Sequence, residues 1–219
     1  MKGRYFKQQE RQILEDIIQH RRTELGKNFL NQEIPEAVLN RLIGAALAAP
    51  SVGFSQPWEF VIIRDLSIRE KIKGCFEVEN EKAKKIFRTK PSYEQFKLEG
   101  ITNTPVNLAI FYKPSSNPIL GQTSMDKSGP YSVCLAVENL WLMARAENIG
   151  VCWVSILDEN QVKQILNAPV ENELVAYLCL GYFKEFTERP QLELANWERR
   201  KSQESLIYYD SYEENSNQV

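Results

Sequence analysis

Three short stretches of this 219-residue chain bring polar groups together with backbone freedom. The first is Arg21-Arg22-Thr23-Glu24-Leu25-Gly26-Lys27, in which cations crowd the end of a helical pattern. Guanidinium groups donate in a rigid fork suited to phosphate oxygens, so the cluster is matched to one phosphate; the same charges also complement the C-terminal dipole of the preceding helix. The second is Pro50-Ser51-Val52-Gly53-Phe54-Ser55-Gln56-Pro57-Trp58. Gly53 lets the backbone approach a ligand closely, and Ser51, Ser55 and Gln56 offer hydrogen bonds beside a flat indole, which suits a planar heteroaromatic ligand. An ordinary turn beside a buried Trp58 accounts for the same residues. The third is Gly150-Val151-Cys152-Trp153-Val154-Ser155. A serine hydroxyl in an apolar strand needs a partner, either backbone or a ligand heteroatom.

Other chemistries are poorly supplied. His20 is the single histidine, which removes Ser-His-Asp and Cys-His nucleophile arrangements unless His20 itself serves. Four widely spaced cysteines lack the paired spacing of a zinc site. Cys134, Cys152 and Cys179 lie in apolar runs and are expected to pack as small buried hydrophobes.

The elements that must position these stretches follow from periodicity. Ile13, Leu14, Ile17 and Ile18 fall at helical spacing in a segment ending in the two arginines. Pro35 opens a second helix, with Val38, Leu39, Leu42, Ile43, Ala46 and Leu47 on its apolar positions, and Pro50 ends it. WEFVIIR reads as a strand, SIREKIKGCFEVENEKAKKIFR as a charged helix, and NLAIFYK as a second strand. The stretch PSSNPILGQTSMDKSGP is a long loop of the kind that forms lids or subunit contacts. YSVCLAVENLWLMARAEN is apolar almost all round, which predicts a central buried helix capped by Gly150. GVCWVSI and LVAYLCLGY are predicted strands with a helix at ENQVKQILN between them, and the aromatic tail after residue 189 is expected to pack on another subunit. With no repeat or linker, the expectation is one α+β domain over 1–219, with a core at about 13–207. There is no GxGxxG or GxxxxGK[ST] loop to mark a Rossmann or P-loop nucleotide site.

The bulk composition narrows the partners. The 27 basic and 29 acidic side chains leave a net charge of -2, with no basic tract to hold a nucleic-acid backbone. No apolar run approaches the roughly 18 residues of a spanning helix, and the first residues lack the apolar core of a signal peptide, so a cytoplasmic protein with no membrane partner is expected.

Read together, APSVGFxQPW at 49–58, KLEGI at 97–101, LGxT at 120–123, NLWLxARAE at 139–147, GVxWVSI at 150–156 and AYLCLGY at 176–182 resemble a known family. They are similar to the 5,6-dimethylbenzimidazole synthases, flavin destructases of cobalamin biosynthesis within the nitroreductase-like FMN superfamily. General nitroreductases usually carry asparagine where this chain has Phe54. The resemblance implies an α+β sandwich with a central, mostly antiparallel sheet. It also implies an intertwined homodimer with FMN at the interface and a C-terminal tail reaching across the partner. Reduced FMN, supplied by a separate flavin reductase, would be the substrate and molecular oxygen the co-substrate.

Carried over by residue, Arg21 and Arg22 match the arginines that hold the flavin phosphate and ribityl region, and Ser51 and Gly53 match the flavin-facing loop. Lys97 and Leu98 match a lid segment, Gly150 and Ser155 match the strand approaching the flavin ring, and Arg200 fits a basic position near the phosphate. The chain departs from the family at RRTELGKNFL, where the pattern is RRDxR with an essential aspartate. Counting forward from the arginines puts Thr23 there; counting back from Phe29-Leu30 puts Glu24 there. Gln122 also replaces an arginine. On the second count, Glu24 is the expected proton acceptor or donor near the ribityl C1′, with Ser155 orienting the flavin. The alternative is an FMN-dependent NAD(P)H oxidoreductase that recycles its flavin; a non-catalytic FMN-binding protein is a third reading.

Overall fold

A computed structural model describes residues 3–212 except Lys27, Pro91, Ser92, Glu94, Gln95 and Lys97. Four strands, β1 (Trp58–Ile63), β2 (Val106–Tyr112), β3 (Ile149–Trp153) and β4 (Glu173–Tyr182), form an antiparallel sheet in the order β1-β2-β4-β3. The two central strands are buried on both faces, which is why they read as continuous apolar runs and not as alternating ones. In β2, Leu108 and Ile110 join one core cluster while Ala109 and Phe111 join the other, as the two-residue side-chain period of a strand requires.

Helices cover both faces. α2 (Glu36–Leu47) and α4 (Ser128–Ala146) pack on one, through Leu39, Leu42, Val133, Val137 and Leu140. α3 (Leu66–Ile86) and α5 (Glu159–Leu166) cover the other, through Ile72, Phe76 and Val162. Each of these two begins at an aspartate whose carboxylate accepts a backbone N–H, Asp65 from Ile68 and Asp158 from Gln161. α1 (Gln8–His20) contributes no buried residue, and a short α6 (Gln191–Leu194) lies in the tail.

Several expectations need correction. α4 is not apolar all round in its surroundings: Tyr131, Cys134, Leu135 and Glu138 share one exposed face, so Cys134 is not a core thiol. Gly150 does not cap α4. Asn148, in the left-handed region at φ 55°, turns the chain, and Gly150 lies inside β3. The first helix stops at His20, so both arginines follow it in extended chain, and Ile13, Leu14 and Ile18 point to solvent. Ser155 lies two residues past the end of β3 and is exposed.

Candidate functional site

The segment after α1 runs along the free edge of β3. Glu24 N–H donates to Val151 O at 2.9 Å, and Trp141 on α4 donates its indole N–H to Arg22 O at 3.2 Å. In an extended chain alternate side chains face opposite ways, and here Glu24 turns into the protein, 1% exposed, while Thr23 and Leu25 turn outward.

On the outward side is a cavity of about 380 Å³. Arg21, Arg22 and Thr23 form one wall, Cys152, Trp153 and Ser155 another, and Leu98, Leu192 and Arg200 reach in from the 98–104 turn and the tail. The Arg21 guanidinium lies 4.9 Å from the centre of the Trp141 ring, with Nε 3.4 Å from Glu138 Oε1. Arg22 donates to the carbonyls of Gln19 at 2.6 Å, Arg21 at 2.7 Å, and Glu188. Its buried Nε has no partner among the described residues. Burial, then the neighbouring Arg200 and Arg21 cations, hold the Arg22 guanidinium below its ordinary pKa. Three cations from opposite ends of the chain therefore repel one another around one cavity, an arrangement that an anion relieves.

Behind the cavity wall lies the Glu24 carboxyl. Neither oxygen has a hydrogen-bond partner among the described residues, and burial pushes its pKa up to about 7, against the opposing pull of Arg145 and Arg22. Glu24 stands against Gly150, where an added Cβ would lie 3.2 Å from Glu24 Cγ. The Cys152 thiol shares this interior and is pushed up to about 12 by burial, then by Glu99 and Glu24, which leaves it a protonated, unreactive thiol at neutral pH. A buried network holds the 98–104 turn in place: Asn107 donates to Ile101 O at 3.0 Å and to Tyr177 Oη at 2.9 Å, and Thr104 donates to Gly100 O at 2.9 Å.

Of the residues singled out by sequence, Arg21, Arg22, Leu98, Ser155 and Arg200 line this one cavity, and Gly150 and Glu24 stand behind it. Ser51 and Gly53 do not join them within one chain. They lie between α2 and β1, where Ser51 Oγ accepts from Gln56 N–H at 3.0 Å and Gly53 borders a separate cavity of about 650 Å³ with residues 113–120. Lys97 is outside the described residues. The sequence reading did not single out Trp153 or Pro190–Leu192 as lining residues; Trp153 was legible as the aromatic residue of the predicted strand GVCWVSI, and the tail residues carry no local signal. Among the described residues no group of three or more His, Cys, Asp or Glu is placed to hold a metal, and no helix is long and apolar enough to cross a membrane.

Comparison with known proteins agrees with this architecture. The Nitroreductase family model matches residues 18–182. The 5,6-dimethylbenzimidazole synthase of Rhodospirillum rubrum is 37% identical over 91% of this chain and 95% of its own length. That of Rhodobacter capsulatus is 35% identical over 88% and 94%. Among solved structures, iodotyrosine deiodinase bound to FMN and 3-iodo-L-tyrosine superposes with a TM-score of 0.69 at 22% identity, covering 91% of this chain and all, 100%, of that one. A BluB-like flavoprotein from Clostridium difficile gives 0.65 at 21% identity, covering 90% and 99%. On the matched span and these identities, the chain belongs to the nitroreductase family, on its 5,6-dimethylbenzimidazole synthase branch.

Proposed function

We propose that this protein converts reduced FMN, with molecular oxygen, into 5,6-dimethylbenzimidazole, the lower ligand of cobalamin. The observation that carries the reading is the convergence of Arg21, Arg22 and Arg200 on one cavity walled by Trp153 and Ser155. The fit to FMN is direct. A phosphate takes the guanidinium donors, the unpaired Arg22 Nε marks unused donor capacity there, and a volume of about 380 Å³ lies within the range of small-molecule pockets. Reduced flavin supplies the electrons for reaction with oxygen and is consumed, and the protein binds and orients it. Ser155 holds the ring end by its exposed hydroxyl, Leu98 shields that end from water, and Glu24 supplies a carboxyl that exchanges a proton near neutral pH from behind Gly150.

In this reading the protein works as a cytoplasmic homodimer and receives reduced FMN from a separate reductase. The exposed apolar residues Ile13, Leu14 and Ile18 on α1 and Tyr131 and Leu135 on α4 support a second copy as the covering partner. Ser51 and Gly53 would then reach the flavin from that second copy. Incubating the purified protein with reduced FMN in air tests the reading: flavin should disappear as 5,6-dimethylbenzimidazole accumulates, and intact FMN would overturn it.

One observation favours a second reading. Thr23, not a carboxylate, occupies the cavity-facing position next to Arg22. A protein without a carboxylate in direct reach of the ligand would retain the flavin and recycle it, with steady NAD(P)H consumption in the same assay.

A further inference from the structure

Arg69, near the start of α3, is a cation buried without a counter-ion. It is 8% exposed, and no carboxylate among the described residues lies within ion-pair distance of its guanidinium. Its partners are backbone carbonyls: Nη1 donates to Thr104 O and, at 3.5 Å, to Ile101 O, and Nη2 donates to Arg64 O at 3.2 Å. The Ile101 carbonyl also accepts from Asn107 at 3.0 Å, and the buried Nε of Arg69 has no partner among the described residues. A charge inside a protein is costly unless an opposite charge compensates it, and the described residues supply only carbonyl dipoles.

Arg69 borders a cavity of about 480 Å³ in which further donors are unused. Arg64, just past β1, lines the same cavity; its Nη2 donates to Glu36 Oε2 at 2.6 Å, while its Nε and Nη1 have no acceptor among the described residues. The helix α2 starts at this cavity too. Its N-cap residue is Pro35, which offers no side-chain cap, so the N–H groups of Glu36 and Ala37 are left without acceptors among the described residues. Two guanidiniums and an uncapped helix start therefore meet at one cavity, and an anion satisfies all three. The rest of the lining selects among anions. Ile34 and Val106 are buried and apolar, and the exposed carboxylates of Glu33 and Glu36 would repel a dianion more than a single negative charge. The cavity is separate from the flavin site: it lies at the β1 edge of the sheet, whereas Arg21, Arg22 and Arg200 surround β3, the opposite edge.

We propose that the cavity between the starts of α2 and α3 binds a small branched aliphatic monocarboxylate, with the carboxylate held by Arg69 and Arg64 and the aliphatic body against Ile34 and Val106. The test is thermal melting of the full-length protein in a phosphate-free buffer, with isovalerate, its neutral amide isovaleramide, or inorganic phosphate added at matched ionic strength. At about 10 mM isovalerate the melting temperature should rise by about 2–4 °C, while isovaleramide and phosphate each move it by less than about 1 °C. Arg64→Ala, at a half-exposed site, should weaken isovalerate binding about tenfold and lose most of the rise. Arg69→Gln keeps a donor for the carbonyls and removes the charge, so it should lose the rise altogether; if it does not fold, Arg64→Ala decides the point. Arg200→Ala, which removes a cation from the flavin cavity, should keep the full rise. No rise in the unsubstituted protein would overturn the site. An equal rise with phosphate or with isovaleramide would overturn the assignment of a carboxylate. A rise kept by Arg64→Ala and lost by Arg200→Ala would put isovalerate in the flavin cavity and overturn the proposal, while leaving the FMN reading standing.

Discussion

Glu24 and Gly150 touch across the back of the cavity, with Glu24 Cγ 3.2 Å from where a Gly150 side chain would begin. The same Cβ would lie 3.1 Å from Phe29 Cε1 and 3.2 Å from Phe183 Cδ2, so both rings would have to give way. Gly150→Ala is therefore expected to destabilise the protein by about 1–3 kcal/mol, the usual effect of overfilling a packed interior. Urea unfolding at constant pH measures this, and an unchanged midpoint would contradict the packing described.

The Glu24 carboxyl makes stability depend on pH with a definite sign. Burial raises its folded pKa from the ordinary 4.5 to about 7, so the folded protein holds this proton more tightly than the unfolded chain. Its contribution is fully present below pH 4.5 and is lost as pH rises through about 7. Between those limits the unsubstituted protein should lose up to about 3 kcal/mol relative to Glu24→Gln, whose side chain cannot ionise. Parallel stability curves for the two proteins from acid to mildly basic pH would show that Glu24 does not titrate in this range.

Arg200 separates ligand binding from folding. It is exposed and lines the cavity, whereas Arg22 also bonds three backbone carbonyls and supports the chain there. Arg200→Ala should weaken FMN binding about tenfold, with a smaller loss in high salt, and leave the melting temperature within about 1 °C. Arg22→Ala should lower both affinity and stability. Calorimetric titration and thermal melting distinguish the two patterns.

Two glycines give opposite expectations for the same substitution. A Cβ on Gly26 would lie 1.9 Å from the backbone oxygen of Glu99, an overlap that no side-chain movement relieves. Gly26→Ala must push the 98–104 turn away from the β3 edge, and a loss above about 3 kcal/mol is expected. Gly44 lies within α2 with open space where its Cβ would be, so Gly44→Ala should stabilise the protein by up to about 1 kcal/mol. Unfolding curves for the pair test whether the 24–26 and 98–100 segments meet as described.

Much of the fold was legible because its signals are local. β2 and β4 are unbroken apolar runs and α2 follows a proline, so neighbouring residues suffice to define each of these elements. The outer face of α4 was not legible. Tyr131, Cys134 and Leu135 are as apolar as its buried residues, and composition alone cannot show that a face of the helix is left uncovered by the chain. The end of α4 was misread for a related reason: Asn148 adopts the left-handed turn expected of a glycine, while the nearby Gly150 is needed for close packing inside β3.

By itself the sequence determined the family, the four strands and the helices flanking them, and the presence of an arginine pair, a glycine-containing turn and a serine after a strand. Tertiary structure alone decided which of these meet. Arg200 joins Arg21 and Arg22 because the tail folds back over the β3 edge, whereas Gly53 borders a different cavity of the same chain and Ser51 lines neither. It also decided that Thr23 faces the cavity while Glu24 faces the interior. RRTELGKN has no hydrophobic period to show which side faces inward; that phase is set by one backbone hydrogen bond, from Glu24 N–H to Val151 O, formed with a strand more than a hundred residues away in the sequence.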